Sequence, residues 1–256
     1  WSPDPGSGNR DAMSARDDDS TDPYAAFDTF LERFDLLVET DPASALAWVD
    51  AADEAVRDQS EWVLCRADAL RAAIGPEAAR QYLAQVLEAE PEFADAHYAM
   101  AEVERTLGNT QAAIRHELET LRLDSAVDFV ACPASADLSE AIAAEAAMAV
   151  SELPAQVKAR LSNVPIFLQP RPSEQLVADG LDARSLGLFE GPNLADTTLS
   201  SPDGGPTAIT IFTHCLADAF GDDEDEMLRQ VRVTVLHEVG HYFCLEEEQL
   251  AELGLD

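Results

Sequence analysis

Lysine is almost absent from this sequence. Among its 256 residues, 50 are Asp or Glu and 16 are Lys or Arg, and Lys158 is the one lysine, so the formal net charge is −34. Binding to phosphate backbones needs clustered Lys and Arg, so this composition argues against a nucleic-acid-binding protein. No stretch reaches the roughly 20 apolar residues of a membrane span, and residues 1–21 lack the apolar core of a signal peptide. We therefore expect no nucleic-acid partner and no membrane.

Cysteine is also sparse. The four cysteines are far apart and form no Cys-x-x-Cys pair; they are Cys65, Cys132, Cys215 and Cys244. This pattern favours free thiols in a reducing compartment over a disulfide framework, so we expect a cytoplasmic protein. The hydrophobic content of 46% excludes a wholly disordered acidic tail. Acidic residues are spread over the whole chain, which favours adaptation to high salt first and a preference for basic partners second.

Composition divides the chain into three parts. Residues 1–22 are rich in Gly, Pro, Ser and Asp and are predicted to be a disordered acidic leader. Residues 23–125 are rich in Ala and Leu, with polar breaks at helical spacing, and predict an all-α region. Residues 126–256 hold most of the prolines and the β-branched runs. They predict a second domain of the α+β class.

The helical part contains an internal repeat of 34 residues. The shift aligns Ala67 with Ala101, Ala79 with Ala113, and Leu87 with Leu121. The better copy is Ala94–Asp124, where Gly108 stands at the predicted turn between two antiparallel helices.

These residues resemble the tetratricopeptide repeat over at least Ser60–Asp124. Two further helices, predicted near Tyr24–Thr40 and Ser44–Arg57, would complete a stack of three hairpins. Such stacks bind partner segments on a concave face. The resemblance therefore implies a protein or peptide partner, and the negative charge favours basic or apolar segments.

The sharpest motif lies in the predicted helix Glu224–Phe243. Valines recur every four residues at Val231, Val235 and Val239 and mark its buried stripe. Acidic residues from 222 to 226 precede the stripe and favour the start of a helix. The helix contains His237-Glu238-Val239-Gly240-His241, the pattern HExxH.

The spacing of this motif suits a metal ion. Residues four apart on a helix differ by about 40° and about 6 Å, so both imidazoles of His237 and His241 can reach one ion. Glu238 then lies beside the ion and can accept a proton from water that the ion has acidified. Zn²⁺ is the expected metal, and hydrolysis of an amide is the chemistry that this arrangement serves.

Catalytic zinc usually has three protein ligands. Glu247 lies six residues beyond His241, too far along a continuous helix to share the ion, so the chain must turn sharply near Cys244–Glu246. Cys244 would pay a steric cost there if its φ angle is positive. The other candidates for the third ligand are Glu248, Glu246, Cys244, His214 and Cys215.

The segment from about Leu138 to Asp256 resembles the minimal zincin family of bacterial metallopeptidases. The matching stretches are Leu153-Pro154, residues 186–191 (LGLFEG), residues 209–212 (ITIF) and residues 233–243 (VTVLHEVGHYF), followed by Glu246–Glu248 and a helix that ends in Leu-Gly. The resemblance implies that His237, His241 and Glu247 bind zinc and that Glu238 is the general base. The chain departs from the family's pattern at Cys244, where glycine is usual.

Three strands are predicted in this domain, at Val164–Gln169, Leu186–Glu190 and Ala208–Thr213, with a helix near Leu138–Glu152 before them. In zincins an edge strand beside the metal helix pairs with an extended substrate, and either of the last two strands could serve. The loop Gly191–Pro206 is either a flap over the cleft or an inert surface loop. The sequence assigns no role to Glu190 or Tyr242.

The first hypothesis is thus a cytoplasmic zinc-dependent peptidase whose helical repeats recruit a partner or the substrate. The second is a non-catalytic adaptor, in which a repeat scaffold carries a structural metal site. A third, a DNA mimic built from surface carboxylates, uses the charge but leaves the motif unexplained.

Overall fold

The computed structural model describes residues 23–131, 136–161, 163–192, 207–221, 223–252 and 255. The chain forms two compact units, Trp1–Ala73 and Ile74–Asp256. No helix in the described ranges is long and apolar enough to cross a membrane.

The first unit is helical. Its helices are α1 (Pro23–Thr40), α2 (Pro42–Asp50), α3 (Glu54–Arg57) and α4 (Ser60–Ala73). Side-chain caps fix where two of these helices begin. Asp41 caps α2 by accepting a hydrogen bond from the N–H of Ser44, and Asp53 caps α3 by accepting one from the N–H of Val56. One face of α1 is buried against α2, where the ring of Phe30 stacks on Trp48 at 6.0 Å.

The second unit begins with four long helices. They are α5 (Pro76–Ala89), α6 (Ala94–Thr106), α7 (Thr110–Ala131) and α8 (Ala136–Glu152). Helices α6 and α7 pack on each other across the turn at Gly108, whose φ of +78° is in the region that favours glycine. Ala101 and Ala113 are both buried, as their small size in the repeat predicts.

A three-stranded sheet follows, with α9 (Ala155–Leu161) before it and α10 (Glu174–Ala178) between its first two strands. Its strands are β1 (Ile166–Gln169), β2 (Gly187–Glu190) and β3 (Ala208–Phe212), in the order β1-β3-β2. β3 is parallel to β1 and antiparallel to β2, with Ile211 opposite Gly187. All five residues of β3 are buried, because this strand is central.

Three helices complete the chain: α11 (Thr213–Phe220), α12 (Glu224–Tyr242) and α13 (Glu247–Glu252). The valine stripe of α12 is buried, as its four-residue spacing predicts. It shares one apolar core with Ile142 of α8 and with Ile209 and Ile211 of β3.

The structure confirms the α+β class and the helical nature of the N-terminal region. The arrangement of the helices as tetratricopeptide hairpins stays a prediction, as does the three-part division of the chain. Helix α7 continues through the predicted boundary at 125/126, and α5 to α7 belong to the same compact unit as the sheet. The predicted leader, residues 1–22, lies outside the described residues.

Candidate metal centre

Local chemistry fixes where the motif helix begins and which way it faces. The side chain of Asp223 caps α12 by accepting a hydrogen bond from the N–H of Glu226 at 3.0 Å, and the first turn carries three further carboxylates. With the valine stripe turned into the core, His237 and His241 are half-buried and Glu238 is 7% exposed.

The two histidines of the motif converge. Their Nε2 atoms are 2.9 Å apart, and the ring centroids are 4.6 Å apart with the planes at 79°. Two nitrogens bound to one tetrahedral zinc at about 2.0–2.1 Å are separated by about 3.3 Å. The pair is therefore within a few tenths of an ångström of the spacing that a shared zinc ion needs.

The other nitrogen of His237 is held by the backbone. Its Nδ1 lies 2.6 Å from the carbonyl oxygen of Leu255, to which an Nδ1–H donates. This bond leaves Nε2 with its lone pair toward His241, which is how metal-binding histidines are usually oriented. The residues present thus fit a zinc ion on the side of His237 and His241.

The chain turns sharply just after the motif, at the position that the sequence requires. Cys244 has a φ of +63°. Its N–H donates to the carbonyl of His241, and the N–H of Leu245 donates to the carbonyl of Gly240, both at 3.0 Å. These two bonds make a Schellman motif, in which Cys244 holds the place that glycine usually takes.

The turn brings α13 back against α12. A Cβ atom at Gly240 would lie 2.4 Å from Cδ2 of Leu250, which is fully buried, so the glycine of the motif makes room for α13. The side chain of Gln249 accepts a hydrogen bond from the N–H of Glu246 and thereby caps α13. Glu247 is the first residue of α13, but its side chain lies outside the described residues.

The remaining candidates for the third ligand are not at the histidine pair. Among the side chains that the structure describes, no group of three His, Cys, Asp or Glu is close enough to hold a metal ion. The described candidates are Glu246, Glu248, Cys244, His214 and Cys215. The assignment of Glu247 stays a prediction.

His214 and Cys215 belong to a different cluster. The Nδ1 atom of His214 is 2.9 Å from Asp128, which also receives two hydrogen bonds from Arg171. Burial favours the neutral carboxyl, but the bonds from Arg171 outweigh it and lower the pKa of Asp128. Burial raises the pKa of the Cys215 thiol to about 12, so this group is a poor source of the thiolate that binds zinc.

Strand β2 lies directly against the motif helix. A Cβ atom at Gly187 would be 2.6 Å from Cγ2 of Thr234 and 3.1 Å from Oε1 of Glu238. A cleft of about 190 Å³ opens here, between residues 185–187, the face of α12 that carries His237 and Glu238, and Leu255. Among the strands that the structure describes, β2 lies at an edge of the sheet and β3 is central, so the hypothesis that Ala208–Thr213 offers the free edge is wrong.

Residues 161–255 match the family model of a zincin-like metallopeptidase. The matched segment contains all three strands, the motif helix and the turn at Cys244, and it supports a metallopeptidase at the level of the family. Helix α8, which the sequence resemblance included, lies outside the match. No curated protein is significantly similar to the chain.

Two larger cavities in the same unit lie apart from the cleft beside His237 and Glu238. One of about 570 Å³ lies along α7 near Arg115 and Pro172, and one of about 440 Å³ lies near Asp124 and Arg171. Neither is lined by His237 or Glu238. The chemistry of the residues, not the volume, therefore identifies the candidate site.

The structure shows where the side chains of Tyr242 and Glu190 lie. Tyr242 is buried, its ring lies 5.9 Å from that of Phe189, and its hydroxyl donates to the carbonyl of Arg160 at 3.3 Å. Glu190 is exposed at the end of β2. Most of the loop Gly191–Pro206, residues 193–206, lies outside the described residues.

Sequence reasoning missed two features of the candidate site. The first is the close approach of Gly187 to α12. Gly187 lies within residues 186–191, and a glycine at the start of a strand can indicate that another part of the backbone or a side chain comes close. The carbonyl of Leu255 left no such signal, because every residue has a carbonyl group.

Proposed function

We propose that this chain is a cytoplasmic zinc-dependent metallopeptidase. His237, His241 and Glu247 would hold the metal, Glu238 would act as general base, and the helical repeats would recruit a protein partner or substrate. The observation that carries the proposal is the convergence of the two Nε2 atoms at 2.9 Å, with His237 and Glu238 lining the same cleft.

A zinc ion held there supplies Lewis-acid chemistry, polarising a carbonyl group and acidifying water. The carboxylate of Glu238 accepts the proton of the attacking water and passes it to the amide nitrogen as the peptide C–N bond breaks. Water supplies a hydroxyl group to the new carboxyl terminus and a proton to the new amine. The small exposed fraction of Glu238, 7%, limits competition from bulk water for this proton.

The edge of β2 that faces away from β3 is the proposed place for the substrate backbone. An extended peptide would add as a further strand there by main-chain hydrogen bonds, next to the carboxylate of Glu238. This binding mode requires no particular side chain, so it accommodates the basic or apolar segments that the net charge of −34 favours.

Support for the cytoplasm comes from the thiols. Cys65, Cys215 and Cys244 are free, as expected in a reducing compartment, and Cys132 lies outside the described residues.

The test is hydrolysis of unfolded basic peptides by the wild type and by Glu238→Gln, each loaded with zinc. We expect the variant to keep its metal and to lose at least a hundredfold in kcat, the lower range for removal of a general base. Equal rates for both would refute the peptidase and favour the non-catalytic adaptor. Glu224→Gln, an exposed acid in the first turn of the same helix, is the matched control and should retain activity.

A further inference from the structure

Helices α6 and α7 make a series of polar contacts with the segment that leads into β2. The hydroxyl of Tyr98 donates to Asp182 at 2.8 Å. One residue further on, the N–H of Ala183 donates to Oε2 of Glu117 at 3.0 Å.

Arg184 continues the series. It donates two hydrogen bonds to Asp124, at 2.9 and 3.0 Å, and it also pairs with Asp95 at 2.6 Å. Its guanidinium lies 5.0 Å from the centre of the Tyr98 ring. Three successive residues, 182 to 184, are thus attached to α6 and α7.

Glu117 is central to this attachment. It is 2% exposed, and Arg105 pairs with its second oxygen. A buried carboxylate is costly unless its oxygens are hydrogen-bonded, so the N–H of Ala183 and the guanidinium of Arg105 are needed partners. The bond to Ala183 fixes the backbone itself and so holds the path of the chain.

Only a short segment of chain connects Ala183 to the candidate site. Four residues later Gly187 begins β2, and four residues span at most about 14 Å. Turns shorten this distance: Asp182 accepts a hydrogen bond from the N–H of Arg184, and Ser185 donates one to the carbonyl of Gly187. A shift at Ala183 is therefore passed to β2.

On the side of Gly187 that faces Thr234 and Glu238, close contact leaves no room to absorb such a shift. The strand approaches α12 so closely that a single added carbon would lie 3.1 Å from Oε1 of Glu238. The position of β2 and the position of the Glu238 carboxylate are coupled by this contact.

We propose that α6 and α7 serve the zincin-like site in cis, with Glu117 as the positioning residue that sets β2 against Glu238. This role rests on the proposed peptidase function and deepens it. The face of α6 and α7 that holds residues 182–184 is occupied by the chain itself, which leaves recruitment of partners to the remaining helical surfaces.

The test compares Glu117→Met, which keeps the volume but removes the acceptor, with Glu117→Gln, whose amide oxygen can still accept from Ala183. Glu119→Met, two residues along α7 and paired with Arg122 near the surface, is the matched control. We expect Glu117→Met to lose tenfold or more in kcat with KM changed less than threefold, because substrate still pairs with β2 but is misplaced relative to Glu238. Glu117→Gln loses the ion pair with Arg105 but keeps the acceptor for Ala183, so it should lose less than Glu117→Met, and the control should stay close to the wild type.

Hydrogen exchange of residues 186–190 provides a readout that needs no peptidase activity. Glu117→Met should raise the exchange rate there by about tenfold or more, and Glu117→Gln should not. If the wild type hydrolyses no peptide, the peptidase proposal fails while this comparison still decides whether Glu117 positions β2. Unchanged exchange in Glu117→Met, or equal impairment of the Met and Gln variants, would overturn the positioning role.

Discussion

Replacing Cys244 by glycine should stabilise the turn after the motif helix α12. Cys244 is exposed and holds a φ of +63°, a conformation that costs a residue with a Cβ roughly 1–2 kcal/mol. Glycine avoids this cost but loses about 0.5–1 kcal/mol of backbone entropy on folding. The difference lies between 0 and about 1.5 kcal/mol, so Cys244→Gly should raise the free energy of unfolding by about 0.75 kcal/mol.

In a chain of this size such a gain raises the midpoint of thermal unfolding by about 1–4 °C. The measurement is thermal and urea-induced unfolding with a chelator present, so that metal binding contributes nothing to the difference. Cys244→Ala is the control, since it removes the thiol but keeps the Cβ, and it should stay within about 0.5 kcal/mol of the wild type. If the glycine and alanine variants are equally stable, the strain assigned to this turn is absent.

Two further predictions concern packing and pH. Gly240→Ala should lower the free energy of unfolding by about 1–3 kcal/mol, because its Cβ would collide with Leu250; urea unfolding measures this, and an unchanged midpoint would contradict the contact. Burial first, and then the facing His97, lower the pKa of His116 from 6.5, with Arg115 acting in the same direction and Glu104 and Glu119 opposing it. The unfolded chain therefore binds more protons as the pH falls below about 6.5, and stability declines there by at most about 1.4 kcal/mol per pH unit from this group. His116→Gln should reduce the loss of stability between pH 7.5 and 5.5, and an identical loss in both proteins would contradict the assignment.

The sequence predicts those parts of the fold that local chemistry decides. The period of the valines and the cap at Asp223 define α12. The prediction that Glu247 shares an ion with His241 calls for a sharp turn near Cys244, and Cys244 makes such a turn. The three predicted strands agree with the observed ones to within two residues, because each is a short apolar run bounded by turn residues.

Contacts between distant residues could not be predicted in this way. Glu117 and Ala183 are 66 positions apart, and in a chain with 50 acidic residues nothing marks Glu117 as a buried acceptor. The order of the strands also depends on packing between distant residues, so the sequence left two candidate strands for pairing with a substrate. The structure places β3 in the centre of the sheet, and β2 is therefore the remaining candidate.

The zinc content of the purified protein, measured after dialysis against metal-free buffer, tests the metal centre most directly. We expect one zinc ion per chain in the wild type, and its loss in His237→Asn and in His241→Gln, with His116→Gln as a control that keeps it. A wild-type chain without stoichiometric zinc, or variants of His237 and His241 that keep their zinc, would contradict the assignment of this pair as the metal site.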